Sequence, residues 1–275
     1  MGADASGVPY YPGPGAINPR RPNQLFGQIR TISNDEISNY HHLAVTVHQR
    51  AYHGVQFDLS YTWSHALDVT SDSNNSGAPM NPYNWRLHYG NAPFDLRHRF
   101  TGTIIYAIPF FGTGNRVLKT AFGGWQLNAI TTLQSGAQFN LSMNTDAANT
   151  SAQGPQRPDL LKTPAYDCGG GHLLACIDKS AFAVPGNIAH GIFAYGTMGR
   201  DILRGPRLSD TDLSLFKTFS FTERVKFTFR WETFNAWNHT SFSNPSRNIE
   251  SATFGNITST SVGSRVMQFG GKLSF

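Results

Sequence analysis

Residues 267–275 read MQFGGKLSF, and their alternation decides the fold. Met267, Phe269, Leu273 and Phe275 fall on one face of an extended chain, while Gln268, Lys272 and Ser274 fall on the other. A strand whose two faces differ this way suits a wall between hydrocarbon and water, because side chains alternate with a period of two. One such strand proves little, so the weight rests on its recurrence upstream.

The strongest repeat is Val55 to Leu67. Val55, Phe57, Leu59, Tyr61 and Trp63 alternate strictly with Gln56, Asp58, Ser60, Thr62 and Ser64. Before it, Asn39 to Ala51 places Leu43, Val45 and Val47 opposite His42, Thr46 and His48. After it, Phe100, Gly102, Ile104, Tyr106 and Ile108 form a strand that Pro109 ends, since proline cannot donate to a ladder. Trp125, Leu127, Ala129, Thr131 and Leu133 then alternate with Gln126, Asn128, Ile130, Thr132 and Gln134. Further on, Leu213, Leu215 and Phe219 oppose Asp212, Ser214 and Thr218, with Phe216 an apolar exception on the polar face. Lys217 interrupts the apolar face near one end, where its stem could snorkel to the membrane rim. Val225, Phe227, Phe229 and Trp231 face away from Lys226, Thr228, Arg230 and Glu232. Phe26 to Ser33 reads as a short additional strand.

The connections alternate too. Tight turns fall at His53-Gly54 and Ser220 to Thr222, and a medium one at Gly112 to Gly124. Long ones run from Asp68 to Asp95, Gly136 to Pro206 and Asn238 to Val262. Outer-membrane barrels keep short turns in the periplasm and long loops outside. Counting back from a periplasmic C-terminus puts every long loop outside, with 136–206 the longest. The fold expected is all-β: an antiparallel transmembrane β-barrel segment of about seven or eight strands with long outer loops. It occupies 1–275 as one partial barrel domain, with 1–24, rich in proline and glycine, as loop and 25–275 as strands and loops.

Composition agrees. Charged residues are only 14%, against 13% aromatics, which is too aromatic for a disordered chain. A mean hydropathy of −0.33 and the lack of any apolar run near ~20 residues exclude a helical membrane protein. The net charge of +5 is scattered and interrupted by acids, so no nucleic-acid partner is expected.

Several stretches resemble the C-terminal barrel of TonB-dependent outer-membrane transporters, especially the Oar-like group. FDLSYTWSHALD (57–68) is similar to that group's aromatic hairpin strand, and FDLRHRFTGTIIYAIPF (94–110) to the strand after its next outer loop. GRDILRGPRLSDTDLSLFKTF (199–219) and FRWETFNAWNHTSF (229–242) resemble the approach to its end, and GGKLSF its terminus. Phe269, Leu273 and Phe275 thus carry a C-terminal barrel signature. The resemblance implies outer-membrane localisation, lipid around the wall, a plug and TonB as partners of the full-length protein, and uptake of an unidentified ligand. Family barrels have about 22 strands. Met1-Gly2-Ala3-Asp4 lacks an export signal and the plug is absent, so the expectation is a fragment from the back of a longer chain.

An edge strand of ~10 residues in lipid leaves about ten backbone groups unpaired, a cost of tens of kcal/mol. That exceeds a domain's net ~5–15 kcal/mol. The sheet therefore must complete a larger barrel, close on itself as a small porin or structural barrel, or stay out of the bilayer. The first is preferred. A soluble all-β carbohydrate-binding or hydrolase module is the remaining rival.

No enzyme is expected, since no nucleophile elbow, zincin helix or paired-carboxylate arrangement occurs. No cofactor or metal is expected either. His42 and His48 share a face but stand roughly 20 Å apart at ~3.4 Å per residue, too far to chelate one ion. His41, His42 and His48 read as polar residues facing the lumen. Gly112-Thr113-Gly114 lacks the residues that complete a phosphate loop and reads as a turn. Cys168 and Cys176, eight positions apart in a glycine-rich segment, are favoured as a disulfide over a soft-metal site with His172. Asp58, Asp212, Lys226, Arg230, Glu232 and Lys272 are expected to face the lumen, where charges tune passage or hold a plug.

Overall fold

The computed structural model describes residues 2–3, 9–10, 25, 36–71, 79–81, 84–109, 116–149, 156–168 and 172–275. Seven long strands form one antiparallel sheet: β1 Ser38–Tyr52, β2 Val55–Asp68, β3 His98–Ala107, β4 Trp125–Gln134, β5 Leu208–Ser220, β6 Lys226–Phe234 and β7 Val266–Ser274. Each strand pairs with its neighbour in sequence, so the topology is a plain meander from β1 to β7. A two-residue strand, Gly90–Asn91, extends the pairing at the outer end of β2. The sheet is not closed; β1 and β7 are its two edges.

Register carries the alternation across the sheet. Val55, Tyr106, Leu127, Leu215, Trp231 and Phe269 lie in one cross-strand row. The adjacent row on the opposite face is Gln56, Ile105, Asn128, Ser214, Glu232 and Gln268. A slip of one residue in any strand would exchange its faces, and from β2 to β7 these registers keep the first row apolar and the second polar except at Ile105. The hairpin from β1 to β2 turns on His53 and Gly54, both at positive φ (49° and 84°), as a tight two-residue turn requires. A side chain at position 54 would lie 2.2 Å from the carbonyl oxygen of Ala107, so only glycine fits.

Burial is distributed unlike that of a soluble sandwich, which hides one face of each sheet. Among the described residues, no strand of the sheet buries a large apolar side chain. Leu43, Val45, Val47, Ile104, Leu127 and Phe229 on the apolar face are exposed, and at the β7 edge Phe269 is 71% exposed. The hydrophobic core sits instead in the long connections. Phe139, Leu141, Ile177, Phe182, Met198, Leu203, Ile249 and Phe254 form one buried cluster, drawn from the connections after β4 and after β6.

Several expectations are corrected. Loop 136–206 is not merely a long coil: Gln138–Phe139 pairs with Leu203–Arg204, and Asp159–Leu160 with Phe182–Ala183. These pairings give it a stem and an inner hairpin. The connection after β3, which the sequence indicates only as one of medium length, contains an α-helix, α1 (Arg116–Phe122). β5 begins at Leu208, five residues earlier than its apolar side chains suggested, because its first residues pair with the end of β4. Within 1–24, Gly2–Ala3 pairs with Pro9–Tyr10. The Phe26 to Ser33 strand and the Gly112 to Gly114 turn lie outside the described residues.

Candidate functional site

The long connections leave the sheet at one end, after β2, β4 and β6, and the short ones at the other. Long polar loops gathered at one rim fold only if their backbone groups and charges find partners. Two buried knots do this. In the first, Arg200 Nη1 donates to Asp68 Oδ1 at 2.6 Å and to the Asp68 carbonyl at 2.9 Å, tying loop 136–206 to the end of β2. Arg200 Nε lies 3.3 Å from Asp201, and Nη2 donates to Ser71. Arg157, about 1% exposed, donates from Nε to the Met198 carbonyl at 2.9 Å and from Nη2 to the Leu87 carbonyl at 2.7 Å. His88 accepts from the backbone N–H of Met80.

The electrostatics of this knot follow from burial. Desolvation lowers the His88 pKa to about 3, and Arg157 and Arg200 push the same way, so its imidazole is neutral at physiological pH. Desolvation also lowers Arg157 to about 10, reinforced by Arg200 and opposed by Asp201, which leaves it cationic. Burial raises Asp201 to about 6 despite the pull of Arg200 and Arg157.

The second knot centres on Asp95, whose side chain is 0% exposed. It accepts from the backbone N–H of Ala66 at 2.8 Å and from Gln138 Nε2 at 3.2 Å. Arg204 and Arg97 bring guanidinium nitrogens to 3.5 and 3.6 Å. Burial alone would raise the Asp95 pKa, but the hydrogen bonds from Ala66 and Gln138, with Arg97 and His65, outweigh it and hold it below the usual range. Three stretches of chain (the end of β2, the start of β3 and the stem of loop 136–206) thus meet at one carboxylate.

Beside Asp95, a concavity of about 480 Å³ opens on the polar face at the outer rim. Tyr40, Thr62, Ser64, Phe94 and Arg99 line it. Arg99 is an exposed cation of that lining.

The sequence-predicted charges are on the polar face, but they do not gather into one centre. Asp58 pairs with His48 across β1 and β2. Asp212 Oδ1 accepts from the Asn235 backbone at 2.9 Å, three strands away from Asp58. Glu232 accepts from Gln268 at 2.6 Å, and Arg230 stacks 5.0 Å above the ring of Phe216. That contact explains the apolar exception at 216. Lys226 and Lys272 stand opposite Ser274 and Thr228. Phe269 stacks on Phe229 at 6.0 Å, Leu273 stands opposite Phe227, and Phe275 is exposed. Cys168 and Cys176 are bonded, with sulfurs 2.05 Å apart.

Lys217 does not snorkel to water. It is 3% exposed, and its Nζ donates to the carbonyls of Thr120 (2.7 Å), Ala121 (3.1 Å) and Gly123 at the end of α1.

Sequence reasoning missed Asp95, Arg157, Arg200 and Asp201. The one available signal was the charge-dense GRDILRGPR at 199–207, which ends an otherwise charge-poor loop.

The chain matches the model of the outer membrane beta barrel domain over residues 5–268 and belongs to that family. It is an outer-membrane protein, and in barrels of that membrane the apolar face of the wall meets lipid. No curated protein matches it significantly.

Proposed function

We propose that this chain supplies wall and outer loops to a TonB-dependent transporter that takes up a ligand from outside. The observation that carries the proposal is the loop assembly above a polar, charged wall: the connections after β4 and β6 share one hydrophobic cluster, and two buried ionic knots tie the connection after β4 to that after β2. Loops built for a passive pore need no common core. A receptor surface does, because capture requires groups held in fixed positions. The open edges at β1 and β7 support completion by further strands of a longer protein rather than closure as a small porin. The role assigned to the chain is binding and passage, with no catalysis.

The experiment is uptake. Cells producing the intact gene product are expected to accumulate the ligand only while the inner membrane is energised and TonB is present. Entry that continues after the proton gradient is collapsed would mark a passive pore and overturn the proposal.

A further inference from the structure

The helix α1 stands on the wrong side of the wall for an ordinary periplasmic turn. Lys217 and Trp125 face each other on the apolar, lipid-facing side of the sheet. Both hold the C-terminal end of α1: Lys217 through the three carbonyls, Trp125 by donating from Nε1 to the Ala121 carbonyl at 3.1 Å. Lys217 Nζ also lies 5.2 Å from the Trp125 ring and 5.1 Å from that of Phe219. The end of the helix is therefore pinned to the outside of the barrel, at the rim with the short turns.

Its sequence, RVLKTAF, is two-sided. At 100° per residue, Val117, Leu118, Ala121 and Phe122 share one stripe, and Lys119 and Thr120 fall on the other. Yet Val117 is 74% and Phe122 61% exposed, and Leu118 is exposed as well. No acidic residue occurs between 108 and 124. An apolar stripe beside a lipid-facing wall, flanked by basic residues only, is the pattern of a helix lying in a membrane interface.

We infer that α1 is an interfacial anchor that embeds its Val117, Leu118 and Phe122 stripe in the periplasmic-side leaflet and sets its basic side against anionic phospholipid headgroups. Two observations select lipid as the occupant. The stripe continues the lipid-facing surface of β4 and β5, and the charge is of one sign, opposite to that of the headgroups. The inference depends on the barrel wall and not on transport.

Nitroxide labels on Leu118→Cys, Val117→Cys and Lys119→Cys test it, with the native disulfide kept, in outer membranes containing the intact protein. Collisions with oxygen report hydrocarbon, and collisions with a water-soluble nickel chelate report solvent. A label on Leu127→Cys in β4 serves as the wall reference. The oxygen-to-chelate ratio at 117 and 118 is expected to approach that at 127 and to exceed that at 119 severalfold. In vesicles of phosphatidylethanolamine with phosphatidylglycerol, the ratio at 118 should exceed that in phosphatidylcholine alone. Chelate access at 118 equal to that at 119, while 127 stays in hydrocarbon, overturns the anchor and leaves the wall intact. Shielding of 117 and 118 from both reagents also overturns it, by showing a protein contact. Chelate access at 127 as well overturns the wall, and the anchor with it.

Discussion

Replacing Lys217 with methionine keeps the length and apolar contact of the stem but removes the ammonium that holds the end of α1. Hydrogen bonds to a charged donor contribute about 1.5–3 kcal/mol each, and Lys217 makes three of them. A cation at a helix C-terminus adds about 0.3–1 kcal/mol. Against this stands the cost of keeping an ammonium out of water at 3% exposure, several kcal/mol. The difference is roughly 2–4 kcal/mol lost on substitution. A helix of 7 residues has no stability of its own to absorb such a loss. α1 should therefore detach while the ladder between β4 and β5 persists. Opening by 2–4 kcal/mol corresponds to amide exchange faster by roughly 30- to 700-fold. Hydrogen–deuterium exchange by mass spectrometry, in detergent or nanodiscs, should show this in 116–124 and leave Leu208–Ser220 unchanged. Unchanged exchange in 116–124, or an equal loss of protection across β5, refutes the reasoning.

Three further outcomes are expected. Asp201, raised to about 6 by burial, withdraws stability from the loops as pH rises from about 4 to about 6, whereas His88, lowered from 6.5 to about 3, withdraws it as pH falls through that window. Each slope is about 1.4 kcal/mol per pH unit, so the two cancel between about pH 6 and 4. Asp201→Asn unmasks His88, and the loops should lose about 2 kcal/mol between pH 6 and about 4.5, read as faster proteolysis of 136–206 that wild type does not show. Asp95→Ala leaves Arg97 and Arg204 without their buried carboxylate and should cost about 3–5 kcal/mol. Protease should then cut the stem of loop 136–206 while the wall stays resistant, and an uncut stem would remove Asp95 from its central role. Phe229→Arg on the lipid face should cost about 2–4 kcal/mol and lower the yield of folded protein in the outer membrane. Thr228→Arg on the polar face should not, and equal losses for both would contradict the assignment of faces.

The wall was legible because its rule is local. A strand between hydrocarbon and water must alternate, and Val55 to Leu67 shows it residue by residue. The loops follow no such rule. Phe139, Ile177, Met198 and Phe254 reach one cluster from separate turns, and nothing in their spacing marks them as neighbours. Nothing in the sequence around Arg157 and Asp95 marks them as buried, since only the tertiary path of the chain covers them. α1 was hidden because seven residues span barely two turns, too few for a helical period to stand out beside glycine-rich flanks. Lys217 was noticed and misjudged: its place on the apolar face was plain, but its partners come from a helix about a hundred positions upstream.

A portion of the molecule that coheres through its own interior can be rewritten wherever it does not touch its moorings at Ala66 and Asp68. The loops carry their own core clear of the wall, so the freedom to vary falls there. Substitutions that respect Asp95, Arg157, Arg200 and the cluster around Leu141 can alter what the cell displays while the staves beneath stay put. Divergence among descendants of this gene should therefore be steep at the rim and shallow in the wall.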